Sequence, residues 1–462
     1  MNIKLIMPMA GSGERFKNSR YYKGVSKPLI EVDGVPMFQF AEQNIGIDFD
    51  ERIFIVRKQD NIKDYIKNIY PEAKIIELDE KTEGTACTIL TAKEYFQDGC
   101  SIFIANCDQY VDWNSKEFLN LIKEENVDGA IATFHESERS TKWSYALTNE
   151  EGLVTKVAEK DPISDLATVG YYYFKDGRDF IKAAEAMINA DDRVNNEFYT
   201  CPVFNYYIPM NKRVKTFNVE KMIGVGTPED LDLYNSNKLK ESAKEISITD
   251  NINFPMFDGN IACCVSGGAD SALMLYNILM NNKNHTHVFT YANNTLLLKN
   301  VVASTRVVNR CVEITGNHRV SHHIIHNNGD KADGVDPLLD MTEPYGKKLN
   351  VKILYLGVTN NPPEEVVSNF KYPDWKDANR DEGSQKLEIH KGDNFDIIVT
   401  PWINLNKKQL AQAYIKQDLM ENLFPITYSC EWYPRDGNDP GMEHCGECWW
   451  CEERQWGFGR LK

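Results

Sequence analysis

The chain has 462 residues and a formal net charge of −16. Its length predicts two or three domains, and its acidity argues against a surface that tracks nucleic-acid phosphates, which needs excess Lys and Arg. With 42% hydrophobic residues it can fill sizeable cores, yet no apolar run reaches the roughly 18 residues that cross a bilayer, and residues 3–7 are too short for a signal peptide's apolar stretch. Seven of the 11 cysteines are scattered and four gather near the end, unlike a secreted disulfide framework, so a cytoplasmic protein is expected.

Residues 4–9 predict a buried strand leading into Gly11-Ser12-Gly13-Glu14-Arg15. Alone, a Gly-x-Gly after a strand is equally a turn or one of several unrelated phosphate loops. Lys27-Pro28 follows, then Asp33-Gly34 as a hairpin turn before an amphipathic helix. Glu83-Gly84-Thr85-Ala86 precedes another helix, and the apolar strand at 101–105 ends in Asn106-Cys107-Asp108.

In this order the motifs resemble those of sugar-phosphate and related nucleotidyltransferases, over about residues 1–235. The resemblance implies a doubly wound sheet in which Gly11, Ser12 and Gly13 wrap a triphosphate, Arg15 neutralises its β/γ charge and Lys27 reaches the α-phosphate. It further implies that Gly84, Thr85 and Ala86 contact base or ribose, and that Asp108 ligates Mg²⁺. Glu159-Lys160 and Gly170 resemble acceptor-binding segments, with Asn196-Glu197-Phe198-Tyr199-Thr200 in the place of another. One departure stands out: many relatives carry a second Mg²⁺-binding Asp where this chain has Gly224, and Glu220 is the nearest substitute. Because Lys27 and Asp108 are both present, a rearranged metal site is expected rather than a lost activity.

Residues 241–257 are polar and then carry a Pro and an Asp-Gly pair nearby, so they read as a linker between a domain at 1–240 and another at 258–462. The second opens with an apolar run into Ser266-Gly267-Gly268-Ala269-Asp270-Ser271 and a helical stretch. A strand of this kind opening into a helix leaves the first helical N–H groups aimed at one spot, which suits a phosphate. Glycines admit the phosphates, Ser266 and Ser271 add hydroxyl donors, and Asp270 can hold Mg²⁺. The six residues resemble the pyrophosphate loop (PP-loop) of ATP pyrophosphatases, which cleave ATP between its α- and β-phosphates.

Beyond it, strands near 288–291, 353–356 and 397–400 alternate with helices at 296–312 and 407–415, which argues for a parallel sheet covered on both faces. His318, His322, His323 and His326 lie in an alternating stretch and are assigned packing or surface roles. Cys430 and the Cys445-x-x-Cys448-x-x-Cys451 knuckle satisfy a closed tetrahedral Zn²⁺ site; redox chemistry is the competing reading.

The PP-loop and the cysteine knuckle together resemble the 7-cyano-7-deazaguanine synthases, over about residues 258–460. Thr400-Pro401, Thr427-Tyr428-Ser429-Cys430, Arg454 and Gly457 fall in that family's order, as does Tyr372-Pro373-Asp374, although Trp375-Lys376 replaces its Cys-Arg and its Arg-Asn stretch is missing. The expected fold class is therefore α/β, with two doubly wound, mainly parallel-sheet domains and a C-terminal zinc knuckle. The expected function is bifunctional. One half would transfer a nucleotidyl group from an NTP, a pyrimidine one by preference, to a phosphorylated acceptor. The other would adenylate a carboxylate with ATP and form an amide or nitrile with free ammonia or an external amine, no glutaminase-like site being evident. The alternative keeps the second activity with an inactive nucleotide-binding first half. Partners are small molecules and, for assembly, a second copy of the chain.

Overall fold

The structure is a computed structural model that describes residues 2–19, 22, 24–124, 127–293, 297–327, 342, 344–346, 348–375, 380, 388–392, 395–430 and 442–462. Lys376 and Leu296, the expected start of one helix, lie outside these. The chain divides into two compact units, Met1–Leu231 and Asp232–Lys462.

In the first unit the Ile3–Pro8 strand pairs in parallel with Glu51–Arg57 on one side and Ser101–Ala105 on the other, and Glu51–Arg57 pairs in parallel with Lys74–Leu78. Alternate side chains enter opposite cores: Leu5, Met7 and Phe103 pack on one face, Ile6, Ile102 and Ile104 on the other. A sheet buried on both faces needs the near-continuous apolar runs that these strands carry. The sheet then departs from the all-parallel pattern. Leu166–Phe174 runs antiparallel beside Ser101–Ala105 and also pairs antiparallel with Gly129–His135 and Ser144–Thr148. Its register shifts between Thr168 and Tyr172, where Gly170 has φ +82° and a Cβ would run into Asn106.

The second unit has a six-stranded sheet. Ile261–Cys264 is flanked in parallel by Thr286–Asn293 and Ile353–Leu356; Val320–Asn327 and Ile397–Val399 extend it outward, and only the edge strand Ile389–His390 is antiparallel. In both units the first strand of the main sheet therefore has its sequence successors on one side and a later strand on the other. That reversal of winding is the switch point at which ligands of open α/β sheets bind, beyond the strands' carboxyl ends.

The segment expected as a linker is structured. Lys244–Thr249 and Ile252–Met256 form an antiparallel hairpin, and Phe254, fully buried, stacks on Tyr355 at 5.8 Å and lies 5.2 Å from Trp402. A hairpin with one wet face shows alternating polarity, and the exposed Lys244, Glu245 and Ser247 hide the apolar half of this one. The division into units also falls before the expected boundary at 240.

Candidate functional sites

The loop after Ile3–Pro8 and the end of Ser101–Ala105 open onto one cavity of about 410 Å³ at the first unit's switch point. Gly11, Arg15, Lys27, Thr85, Asp108, Glu159 and Gly170 line it. Lys27 sits at the start of a short 3₁₀ turn shaped by Pro28 and forms an ion pair with Asp108, 81 positions away. Burial works against the Lys27 charge, but the Asp108 carboxylate and the neighbouring Cys107 together hold the ammonium above the usual lysine value. A Cβ at Gly226 would run into Asp108, so glycine is what lets that backbone close over the pair.

The resemblance-derived residues are not all brought to the cavity in the same way. Thr85 Oγ1 lies 3.1 Å from Thr200 Oγ1, and Ala86 N donates to Phe198 O at 3.0 Å, so the Gly84-Thr85-Ala86 turn and the 196–200 segment form one wall. Ala86 itself is fully buried in the core and supports this wall without offering a side chain to a ligand. Ser12 and Gly13 continue the loop, with Gly13 preceding the short Glu14–Lys17 helix. Glu159 accepts from Ser144 Oγ, and burial raises its carboxyl pKa. Lys160 turns aside to Tyr199 OH at 2.9 Å.

Glu220 is not at the site. Lys221–Gly224 runs antiparallel to Gln109–Asp112, with Gly224 opposite Gln109 and Lys221 opposite Asp112. Glu220 N donates to Asp112 O at 2.9 Å, and its exposed side chain leaves from the far end of this ladder. At about 3.3 Å per residue that is roughly 13 Å from the Asp108 end. Asp230, not among the expected metal ligands, lines the cavity instead, paired with Lys142 at 3.1 Å.

In the second unit the Ser266–Ser271 loop follows Ile261–Cys264 and opens the Ala269–Asn281 helix at the switch point beside Ile353–Leu356. Gly267 has φ +94°, and a Cβ there would strike Ala303 and Ser304, so the loop is folded tightly under the Leu297–Thr315 helix. Ser266 is exposed, whereas Ser271 is buried and donates to Gly268 O at 3.2 Å. Asp270 Oδ2 takes an ion pair from Lys407 and a 3.3 Å hydrogen bond from Thr359, while its buried Oδ1 has no hydrogen-bond partner. An acceptor-only oxygen left in this state fits a divalent cation or a ligand's donor.

Lys407 was legible only as the start of a helix. Asn406 caps that helix with a reciprocal Gln409 bond, but nothing local reveals a contact 137 positions away. Of the four singled-out histidines, His318 and His326 are exposed, His322 Nε2 meets Thr290 Oγ1 at 2.8 Å, and His323 Nε2 lies 3.2 Å from His287 Nδ1.

The sulfurs of Cys430, Cys445, Cys448 and Cys451 all lie within 4.8 Å of one another. The Cys445–Cys451 and Cys448–Cys430 separations are both 3.9 Å. A tetrahedron with Zn–S bonds of about 2.3 Å has edges near 3.8 Å, so the four thiols fit that ion and are too far apart for disulfides. From this cluster runs the Trp449–Phe458 helix. Its buried Arg454 donates to Thr427 Oγ1 at 2.8 Å and Ser429 Oγ at 3.2 Å, while Tyr428 N donates to Gly267 O at 2.8 Å.

Two α/β units, each with a phosphate-loop candidate at its switch point, define a two-domain enzyme of nucleotide chemistry. The Nucleotidyl transferase profile matches residues 5–242, and the chain belongs to that family. The profile of the Queuosine biosynthesis protein QueC matches residues 337–462, downstream of the Ser266–Ser271 loop. No curated protein matches the chain. Similar solved structures include the nucleoside-diphosphate-sugar pyrophosphorylase from Vibrio cholerae RC9, at 22% identity over 49% of this chain and 97% of that one, with TM-score 0.43. Others are the inositol-1-phosphate CTP transferase from T. maritima, at 14% over 50% and 91%, TM-score 0.40, and a UDP-glucose pyrophosphorylase complexed with UDP-glucose, at 19% over 50% and 95%, TM-score 0.41. Among the described residues no helix is long and apolar enough to cross a membrane.

Proposed function

We propose that the chain is a bifunctional enzyme, with nucleotidyl transfer in its first half and ATP-dependent activation of a carboxylate in its second. The observation that carries this is the repeated pairing of a lysine with a carboxylate beside a phosphate loop, Lys27 with Asp108 and Lys407 with Asp270, each at a switch point.

In the first half a phosphate oxygen of the acceptor attacks the α-phosphorus of an NTP, by preference a pyrimidine one, and pyrophosphate leaves. Arg15 and Lys27 line the cavity and supply positive charge where the transferring phosphates gain negative charge, which is the main way such displacements are accelerated. Asp108 would hold Mg²⁺, whose contribution when bound is to draw charge from the phosphate oxygens. Thr85 and Thr200 would meet the nucleoside, Glu159 and Gly170 the acceptor.

In the second half a carboxylate oxygen attacks the α-phosphorus of ATP and pyrophosphate leaves. Ammonia or an amine then attacks the acyl carbon, loses a proton, and AMP leaves with its bonding pair to give an amide. Only the primary amide formed from ammonia could go further, its oxygen attacking a second ATP with release of pyrophosphate, and loss of AMP and the two N–H protons would give a nitrile. Ser266 and the backbone of Gly267 and Gly268 would bind the departing pyrophosphate, Lys407 would balance its charge, and Asp270 Oδ1 would hold Mg²⁺. Cys430, Cys445, Cys448 and Cys451 would hold a structural Zn²⁺. A cytoplasmic setting, where thiols stay reduced, suits this cluster.

The test follows pyrophosphate release by the full chain with each NTP, phosphorylated acceptors and carboxylates, identifying products by mass. Asp108→Asn should remove one release activity and Asp270→Asn the other. Retention of all release in both variants would overturn the assignment, and loss in Asp270→Asn alone would favour an inactive first half.

A further inference from the structure

We propose that Asp230 supplies the second carboxylate to the divalent cation held by Asp108, with Lys142 as its positioning residue. This rests on the nucleotidyl-transfer reading of the first unit. The cavity wall beside Asp108 is built from the Lys221–Gly224 strand and the first turn of the Pro228–Ser242 helix. At Gly224 the strand carries no side chain, and the space that a Cβ would enter faces Asp230: Oδ2 stands 3.6 Å and Cγ 3.9 Å from that position. The carboxylate is thus delivered from the helix to the place that the strand leaves open.

Its conformation supports a role beyond capping. Asp230 N donates to Thr227 Oγ1 at 3.1 Å, the arrangement of a residue three places into a helix whose entry Thr227 caps. An acid there commonly folds back on the cap's own N–H. Here both carboxylate oxygens are held by Lys142 Nζ, at 3.1 and 3.2 Å, and Asp230, Lys142, Gly224, Asp108 and Lys27 line the same cavity. Val225 N donates to Asp108 O at 2.9 Å, which ties the strand's exit to the Asp108 backbone. Mg²⁺ in a triphosphate site is commonly bound by one or two protein carboxylates together with phosphate oxygens. Asp108 and Asp230 provide that number, whereas Glu220 leaves from the other end of the ladder.

Mn²⁺ binding to the full chain, read by electron paramagnetic resonance in an Asp270→Asn background that silences the second unit's candidate ligand, tests the assignment independently of turnover. Asp230→Asn, which keeps the size of the side chain and an oxygen for Lys142, should weaken Mn²⁺ by at least about 10-fold. Adding Gly224→Asp to that variant should restore affinity, because nothing lies closer than 3.6 Å to the new Cβ. Affinity unchanged in Asp230→Asn but lost in Asp108→Asn overturns the inference and spares the nucleotidyl-transfer reading. Affinity and pyrophosphate release unchanged in both variants overturn the two together. Weakening that Gly224→Asp does not reverse, in a variant whose thermal melt matches the unaltered chain, also overturns it, since the second carboxylate would then be returned without effect.

Discussion

The two candidate sites, each proposed to hold phosphates beside a cation, are built with different amounts of local instruction. In the second, Ser266 to Ser271 puts the turn, the hydroxyls and Asp270 into six consecutive residues, which Lys407 and Thr359 join from elsewhere. In the first, Gly11, Lys27, Thr85, Asp108 and Asp230 arrive from five separate elements around one cavity. A contiguous loop is specified by its own backbone, whereas a dispersed site depends on the register of every strand that feeds it. The lesson is that the compact motif should fail through its tertiary support, and the scattered one through any single donor.

The sharpest way to break that comparison is at the cysteine cluster. Cys448→Ser should abolish the proposed zinc binding and unfold the second unit's tail, since zinc contributes on the order of 10 to 16 kcal/mol in comparable peptides. Zinc content by mass spectrometry and a loss of the ATP-dependent activity, with nucleotidyl transfer unchanged, would register it. Next in size, Asp270→Asn and Asp108→Asn should each lower their own half's kcat by roughly 10² to 10³-fold, the scale of losing one preorganised charged contact. A variant that lowers both would contradict the independence of the two sites. Lys407→Ala removes the charge partner of Asp270 and the cation proposed to balance pyrophosphate but leaves the Asp270 carboxylate in place, so a smaller loss is expected, with Asp270's metal affinity rising as the competing ammonium goes. Metal titration of the ATP-dependent activity measures that shift.

The smallest expected effect concerns Glu159. Burial raises its carboxyl pKa, so its ionised form costs stability once the pH exceeds the folded value. Glu159→Gln should therefore raise Tm near pH 7.5 but not near pH 3.5, where the carboxyl is protonated in both folded and unfolded chains. If the ionised carboxylate accepts acceptor hydroxyls, kcat/KM should fall on the acid side at a pH above the ordinary Glu value of about 4.3, and that limb should vanish in the Gln variant. A pH profile of acceptor kinetics reads this directly.

What could be read in the chain follows the same division. The strands at 101–105 and 353–356 were legible as short apolar runs because both their faces are buried. The Lys244–Met256 hairpin was not, since its wet face alternates with its buried one and mimics a polar connector. Lys27, Asp108 and Asp270 belong to motifs and were named from them. Asp230 and Lys407 have no such setting: each is an ordinary charged residue in the first turn of a helix until the fold turns it toward a distant partner. Glu220 shows the converse. Four positions along a strand is a small gap in sequence, yet it carries a side chain the length of the ladder away from the chemistry.

The route from the cysteine cluster to the Gly267 carbonyl runs through Arg454, Thr427 and Tyr428. A nutritional consequence follows. With zinc held by the four sulfurs as proposed, a cell starved of that trace element would lose the support behind the Ser266–Ser271 loop, while the first unit, which contains none of these residues, kept its fold.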